Sequence, residues 1–164
     1  MSRAESKEHV RARMDEEWPK FQALLDSVPE SEFDVPGVTD QWCLKELLGH
    51  IVFWADKAAH DVTAAADGRT DEIKVPDGDG VADQWNAEAA AKGKPQTAQA
   101  IKADVARAHE AARQALEAAP ESALAIEVSG WSVGLRYAAD TYRHYREHAE
   151  QIRAWLQQLE TTEA

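Results

Sequence analysis

The chain has 164 residues, with 18 Lys and Arg against 30 Asp and Glu and a net charge of −12 at neutral pH. A length near the usual domain size predicts one domain, residues 1–164, around one hydrophobic core. Negative charge repels phosphate backbones and anionic lipid headgroups, so neither a nucleic acid nor a membrane surface is an expected partner.

The longest apolar run, Leu47 to Ala55, is interrupted by His50 and too short to span a bilayer. Residues 1–10 lack the apolar segment of a secretory signal. Cys43 is the single cysteine, which rules out an internal disulfide and fits a reducing cytoplasm. With 44% hydrophobic residues and six Trp, the chain can bury a core, and the composition argues against disorder.

Apolar residues recur at the helical period in four long segments. The first predicted helix runs from about Ala4 to Ser27, with Val10, Met14, Trp18, Phe21, Leu24 and Leu25 on one stripe and Pro29 as its stop. Pro19 lies inside the pattern and marks a kink or break near Trp18. Pro36, Gly37 and Asp40 mark a turn. The second helix is expected from near Cys43 to Ala66, ahead of Gly68, with Leu44, Leu47, Leu48, Ile51, Ala55, Ala58 and Val62 facing inward. Residues 67–80 read as an acidic loop. A short helix over Val81 to Lys92 stops before Gly93 and Pro95. The third long helix covers about Thr97 to Ala119 and ends at Pro120. After the Ser129-Gly130 break, one last helix is expected from Val133 to Leu159. No segment alternates with period two. The pattern predicts an all-α four-helix bundle with a long crossover connection between the second and third long helices.

The chemistry concentrates on histidine. His144 and His148 stand four apart, so both imidazoles lie on one helical face and can converge on one metal ion. Arg143, Arg146, Glu147, Glu150 and Gln157 define the solvent face of that helix, whereas His144 and His148 share a flank of the apolar face with Tyr137 and Trp155. Polar groups there need partners. On the second helix His50 lies at the edge of the apolar stripe, between Cys43 and Trp54. Facing bundle helices commonly build metal sites from such side chains. Three neutral imidazoles around a divalent cation leave one coordination position open, the pattern of a catalytic site. The competing reading is a set of edge histidines hydrogen-bonded to a backbone carbonyl or to a nearby tyrosine, Tyr137, Tyr142 or Tyr145, in a structural rather than catalytic role.

The run from Trp42 through His50 to Trp54, followed by Tyr142, His144, Tyr145, His148, Ile152 and Trp155, resembles the DinB/YfiT-like superfamily. That group includes the ClbS/DfsB-type proteins, the bacillithiol transferases and the metal-binding domain of mycothiol-dependent maleylpyruvate isomerase. The resemblance covers nearly the whole chain. It implies a four-helix bundle with a crossover, often a homodimer, and a divalent metal held by His50, His144 and His148. Zn²⁺ and Ni²⁺ both suit imidazole ligands. It further implies a low-molecular-weight thiol cosubstrate, mycothiol or bacillithiol. The isomerase branch carries an acidic residue at one ligand position, so His144 places this chain nearer the three-His branch. Where the family has Ser or Thr to cap the second helix, this chain has Cys43, a poor cap; Glu46 keeps the fourth position of a capping box, and Thr39 or Asp40 is expected to cap instead.

Trp54, Asn86 and Tyr137 are candidate substrate contacts, and no catalytic side chain is assigned beyond a metal-bound thiol or water. Cys43 reads as a small buried hydrophobe, against a redox role. His9 and His60 read as solvated, and His109 as a satisfied edge histidine. Asp77-Gly-Asp79-Gly looks superficially like a calcium loop, but Val81 and Ala82 occupy a ligand position and the required glycine position, which rejects it. The expected function is a divalent-metal-dependent transferase or hydrolase that activates a thiol or water against a small-molecule electrophile. The alternative is a non-catalytic, self-protective binder of a small molecule.

Overall fold

Each of the four long helices has one apolar stripe to bury, and burying all four against one another makes the bundle. The computed structural model describes residues 5–163. Helix α1 (Lys7–Ser27) is capped by Ser6, whose hydroxyl accepts the His9 N–H at 3.2 Å; the expected start at Ala4 lies outside the described residues. Pro19 does not break α1, which runs through it to Ser27. Helix α2 (Leu44–Ala66) is the central element and packs against α3 (Val81–Gly93), α4 (Ala98–Ala118) and α6 (Val133–Asp140). Cys43 itself stands at the N-cap of α2, where Glu46 Oε2 accepts its backbone N–H at 2.9 Å. The carboxylate half of the capping box is therefore formed without Thr39 or Asp40.

Helix α3 sits within the crossover, joined to α2 by a loop that holds a 3₁₀ turn over Thr70–Glu72. Its last residue, Gly93, does more than end the helix. A Cβ there would lie 2.2 Å from the Lys45 carbonyl, and one at Gly49 would lie 2.6 Å from the Ala89 carbonyl. Two glycines face each other so that α2 and α3 can touch backbone to backbone.

After α4 come a short α5 (Glu121–Leu124) and a two-stranded hairpin, β1 (Glu127–Val128) and β2 (Trp131–Ser132). Ser129 and Gly130 both have positive φ, 51° and 81°, which is the backbone of a tight two-residue hairpin turn. Strands this short leave no alternation to read from sequence.

The expected last helix is two. It breaks at Thr141 (φ −121°, ψ −103°), between α6 and α7 (Tyr142–Glu163). The Thr141 hydroxyl donates to the Tyr137 carbonyl at 2.6 Å, so the side chain occupies a backbone acceptor next to the break. The break rotates α7 relative to α6, and residues on either side of it no longer share a helical phase. Helix α7 packs along α1, and no helix of the described residues is long and apolar enough to cross a membrane.

Two predictions follow from this packing. Gly93→Ala forces α3 away from α2 and is expected to cost about 1–3 kcal/mol, the usual range for overpacking, read as a lower urea midpoint. His109 is buried, stacked on Trp18 at 4.1 Å and hydrogen-bonded to Tyr145 Oη at 3.0 Å, as expected of a satisfied histidine. Burial above all, then the Arg113 charge, pulls it down to about 4. The unfolded chain therefore takes up this proton below about 6.5 and the folded chain only below about 4, so stability rises with pH across that window. His109→Gln is expected to flatten the slope of stability against pH there; an unaltered slope contradicts the assignment.

Candidate metal centre

Helix α2 presents His50, the first two turns of α7 present His144 and His148, and the three imidazoles meet. His50 Nε2 lies 2.8 Å from His144 Nε2, and His148 Nε2 lies 2.8 Å from the same atom. One ligand atom from each falls within 4.8 Å of the other two. His50 and His148 are buried and His144 is half-buried. Burial pulls His50 down to about 4, holds His144 well below its ordinary value and lowers His148. All three are neutral at pH 7, the form that ligates a metal.

Proton counting decides what such a trio can be. Each neutral imidazole carries one N–H. If His144 Nε2 is protonated, it can donate to only one neighbour and cannot accept from the other. If it is bare, its single in-plane lone pair must serve two donors. Hydrogen bonding alone cannot satisfy both 2.8 Å contacts. A cation can, because all three Nε2 lone pairs then point inward and each proton sits on Nδ1. Ligands at ordinary Zn–N distances stand about 3.4 Å apart, so the two 2.8 Å contacts would have to open by about 0.6 Å around an ion. Of the outer atoms, that of His148 fits as well. His148 Nδ1 lies 2.6 Å from Gln151 Oε1, an acceptor that fixes Nδ1 as the protonated nitrogen. His50 Nδ1 and His144 Nδ1 are buried without a protein partner.

The tyrosine alternative is not what the side chains do. Tyr137 donates to the Ala112 carbonyl at 2.6 Å, Tyr142 to Glu5 Oε2 at 3.0 Å, and Tyr145 bonds His109. Tyr137 is also not brought to the trio. It is buried in the core, because the break at Thr141 removes α6 from the phase of α7.

Trp54 and Asn86 do stand beside the trio. The Trp54 ring is 6.4 Å from His50, its Nε1 donates to Asn86 Oδ1 at 2.8 Å, and the Asn86 amide sits against His50. Two neighbours escaped the sequence reading. Trp42, held by the Thr39–Trp42 bridge, lies 5.4 Å from the His50 ring. Gln151 lies one turn beyond His148, and its spacing of three was the available signal. A cleft of 320 Å³ opens beside Trp42 and Asn86, with the exposed carboxylates of Asp40 and Asp83 on its wall. Cys43 is buried at the start of α2, and burial raises its thiol above the ordinary value, which suits a small hydrophobe rather than a nucleophile.

The overall fold is shared widely. An uncharacterised protein from Escherichia coli UTI89 superposes with a TM-score of 0.80 at 12% identity over 94% of this chain and 95% of its own. The colibactin self-resistance protein ClbS, solved with double-stranded DNA, gives 0.79 at 14% identity over 94% and 96%. A variant of mycothiol-dependent maleylpyruvate isomerase gives 0.75 at 16% identity over 89% of this chain, which spans 60% of that protein. No curated protein matches in sequence. The model of the mycothiol maleylpyruvate isomerase N-terminal domain matches residues 14–160, and the chain thus belongs to that family, within the DinB/YfiT-like superfamily.

Proposed function

We propose that the protein is a divalent-metal-dependent transferase acting on a small electrophile with a low-molecular-weight thiol, and that His50, His144 and His148 hold the metal. The observation that carries this reading is the contact of three neutral Nε2 atoms that hydrogen bonding cannot satisfy. A bound divalent ion would supply Lewis acidity, acidifying a thiol or water at neutral pH. The chain's own residues do the rest. Gln151 orients His148 through Nδ1, Asn86 braces Trp54 across the mouth of the site, and Trp42 and Trp54 keep water from two sides of His50. None of Trp42, Trp54, Asn86 or Gln151, the described side chains outside the trio that stack on it or hydrogen-bond to it, can act as a general acid near neutrality. That favours thiol transfer over hydrolysis, whose leaving group usually needs a proton. Zn²⁺ and Ni²⁺ both suit the donor set, and mycothiol is the thiol the family's description suggests.

A second reading is stoichiometric self-protection, in which the pocket binds a reactive small molecule without turnover. The likeness in fold to a self-resistance protein favours it, as does the lack of a titrating group among those four neighbours of the trio. Counting product over excess substrate separates the two: one equivalent or fewer means sequestration. ClbS was solved with DNA, but a net charge of −12 argues against that partner for this chain.

Protein purified without an affinity tag is expected to hold one Zn²⁺ or Ni²⁺ per chain by elemental analysis. Loading at a hundredfold excess over Kd should stabilise it by about 2.7 kcal/mol, and His148→Ala should abolish both effects. Metal-free protein that turns over thiol and electrophile at the full rate would overturn the metal-dependent mechanism. Gln151→Leu is expected to weaken metal binding by about 10–100-fold with the three ligands intact, measured by chelator competition.

A further inference from the structure

Helix α2 continues past the trio. His50, Trp54, Lys57 and Asp61 follow at spacings of four, three and four, so they form one stripe along the helix. The far end of that stripe lines a second cleft, of 220 Å³, closed by Lys74, Pro76, Trp131, Arg136 and Asp140. Its cations are unequally matched. Lys57 is paired with Asp61 at 2.5 Å. Lys74 donates to the Asp71 carbonyl and, among the described residues, to no carboxylate.

Arg136 is the unusual one. Arg107 and Arg113 pair with Asp56 and Asp15, whereas half-buried Arg136 forms no ion pair among the described residues. Its one hydrogen bond runs from Nη2 to the Val128 carbonyl at 2.7 Å, and its Nε is buried without a partner. A guanidinium that is partly desolvated and lacks a counter-ion is a site prepared for an anion. The acids present do not fill the role. Asp61 is taken by Lys57, and burial raises Asp140 to about 7, which leaves it only partly charged at neutral pH.

We propose that this cleft is a carboxylate subsite: Arg136, helped by Lys74, holds the carboxylate of a small organic molecule whose apolar body lies against Trp54 and Trp131. Trp131 is the one large hydrophobic residue that stands exposed among those described, at 51%, and it borders this cleft. A single guanidinium facing two acids matches a carboxylate better than a dianionic phosphate. The two flanks of the trio also differ in sign, since the cleft beside Trp42 carries Asp40 and Asp83 and repels an anion. Lys57 is seven residues from His50, about 10 Å along the helix, so a molecule anchored at Arg136 extends its other end toward the trio. Only that last step rests on the metal-centred reading; the binding itself does not.

The test compares phenylacetate with its neutral isostere phenylacetamide by NMR titration of chelator-treated protein, and again after zinc loading. Phenylacetate is expected to bind about tenfold more tightly than the amide, and Arg136→Gln to erase that preference while Arg153→Gln leaves it intact. Arg136 also supports the hairpin, so Lys74→Gln, on an exposed residue, provides a second reading, with about a threefold loss for phenylacetate alone. Equal binding of the two probes, no saturable binding at millimolar concentration, or a preference that survives in folded Arg136→Gln overturns the proposal. A preference retained in His148→Ala supports the cleft even where that variant and the wild type bind no metal. Its loss in that variant, with Arg136 unaltered, overturns the cleft as a separate subsite.

Discussion

Three neutral imidazoles cannot be packed tip to tip unless something satisfies the lone pairs they aim at one another. That constraint organises the molecule around the seam between α2 and α7. Helix α2 is held mainly by α4 and α3, and α7 mainly by α1, so the two histidine-bearing helices are positioned from behind and meet chiefly at the trio. Trp42, Trp54 and Asn86 flank the trio, and a groove opens beside Trp42 and Asn86. A groove of that kind is where a bundle places a ligand site.

Much of this was legible in the sequence because it rests on periodicity. The inward stripes of α1, α2 and α4 are unbroken and their ends are marked by Pro29, Gly68 and Pro120. The pair His144 and His148 needs only the helical repeat to be placed on one face, and His50 needs only its position at the edge of a stripe. What failed was continuity across Thr141. Threonine carries no strong breaking signal, and its hydroxyl bond to the Tyr137 carbonyl, four residues back, is one that threonine also makes inside an intact helix. Reading one helix through that point put Tyr137 on the histidine stripe, whereas the break sends it into the core. Cys43 misled in the opposite direction. A poor capping side chain suggested that another residue caps α2, but Glu46 needs only the Cys43 backbone N–H and is indifferent to its side chain.

Other features were illegible for a different reason: they depend on what is missing. Arg136 is ordinary in sequence, and its interest lies in the carboxylate that does not reach it. The glycines at 49 and 93 look like a helix interior weakened and a helix end marked. Only the crossing of α2 and α3 shows that both positions exclude a Cβ. That close crossing also fixes Asn86, about two turns before Gly93 on α3, at the distance from α2 where its amide meets Trp54 and His50. Small residues on one face of α3 thus set the position of a polar residue two turns away on the same face.

The same geometry bears on what kind of chemistry the site can support. A thiol needs only to lose a proton to become a nucleophile, and an electrophile that opens or adds without expelling a basic group needs no acid in return. Hydrolysis of an amide or ester demands more, since the departing group must be protonated in time. Among the described residues, the side chains that stack on the trio or hydrogen-bond to it are two indoles and two carboxamides, none able to give or take a proton at neutral pH. The carboxylates of Asp40 and Asp83 stand out in the cleft, exposed, and the partly charged Asp140 lies on the far side of Trp54. These four neighbours thus offer the trio no route for proton transfer. A centre of this composition suits soft nucleophiles and strained or activated electrophiles, or simple capture, and it suits the hydrolysis of a stable bond poorly.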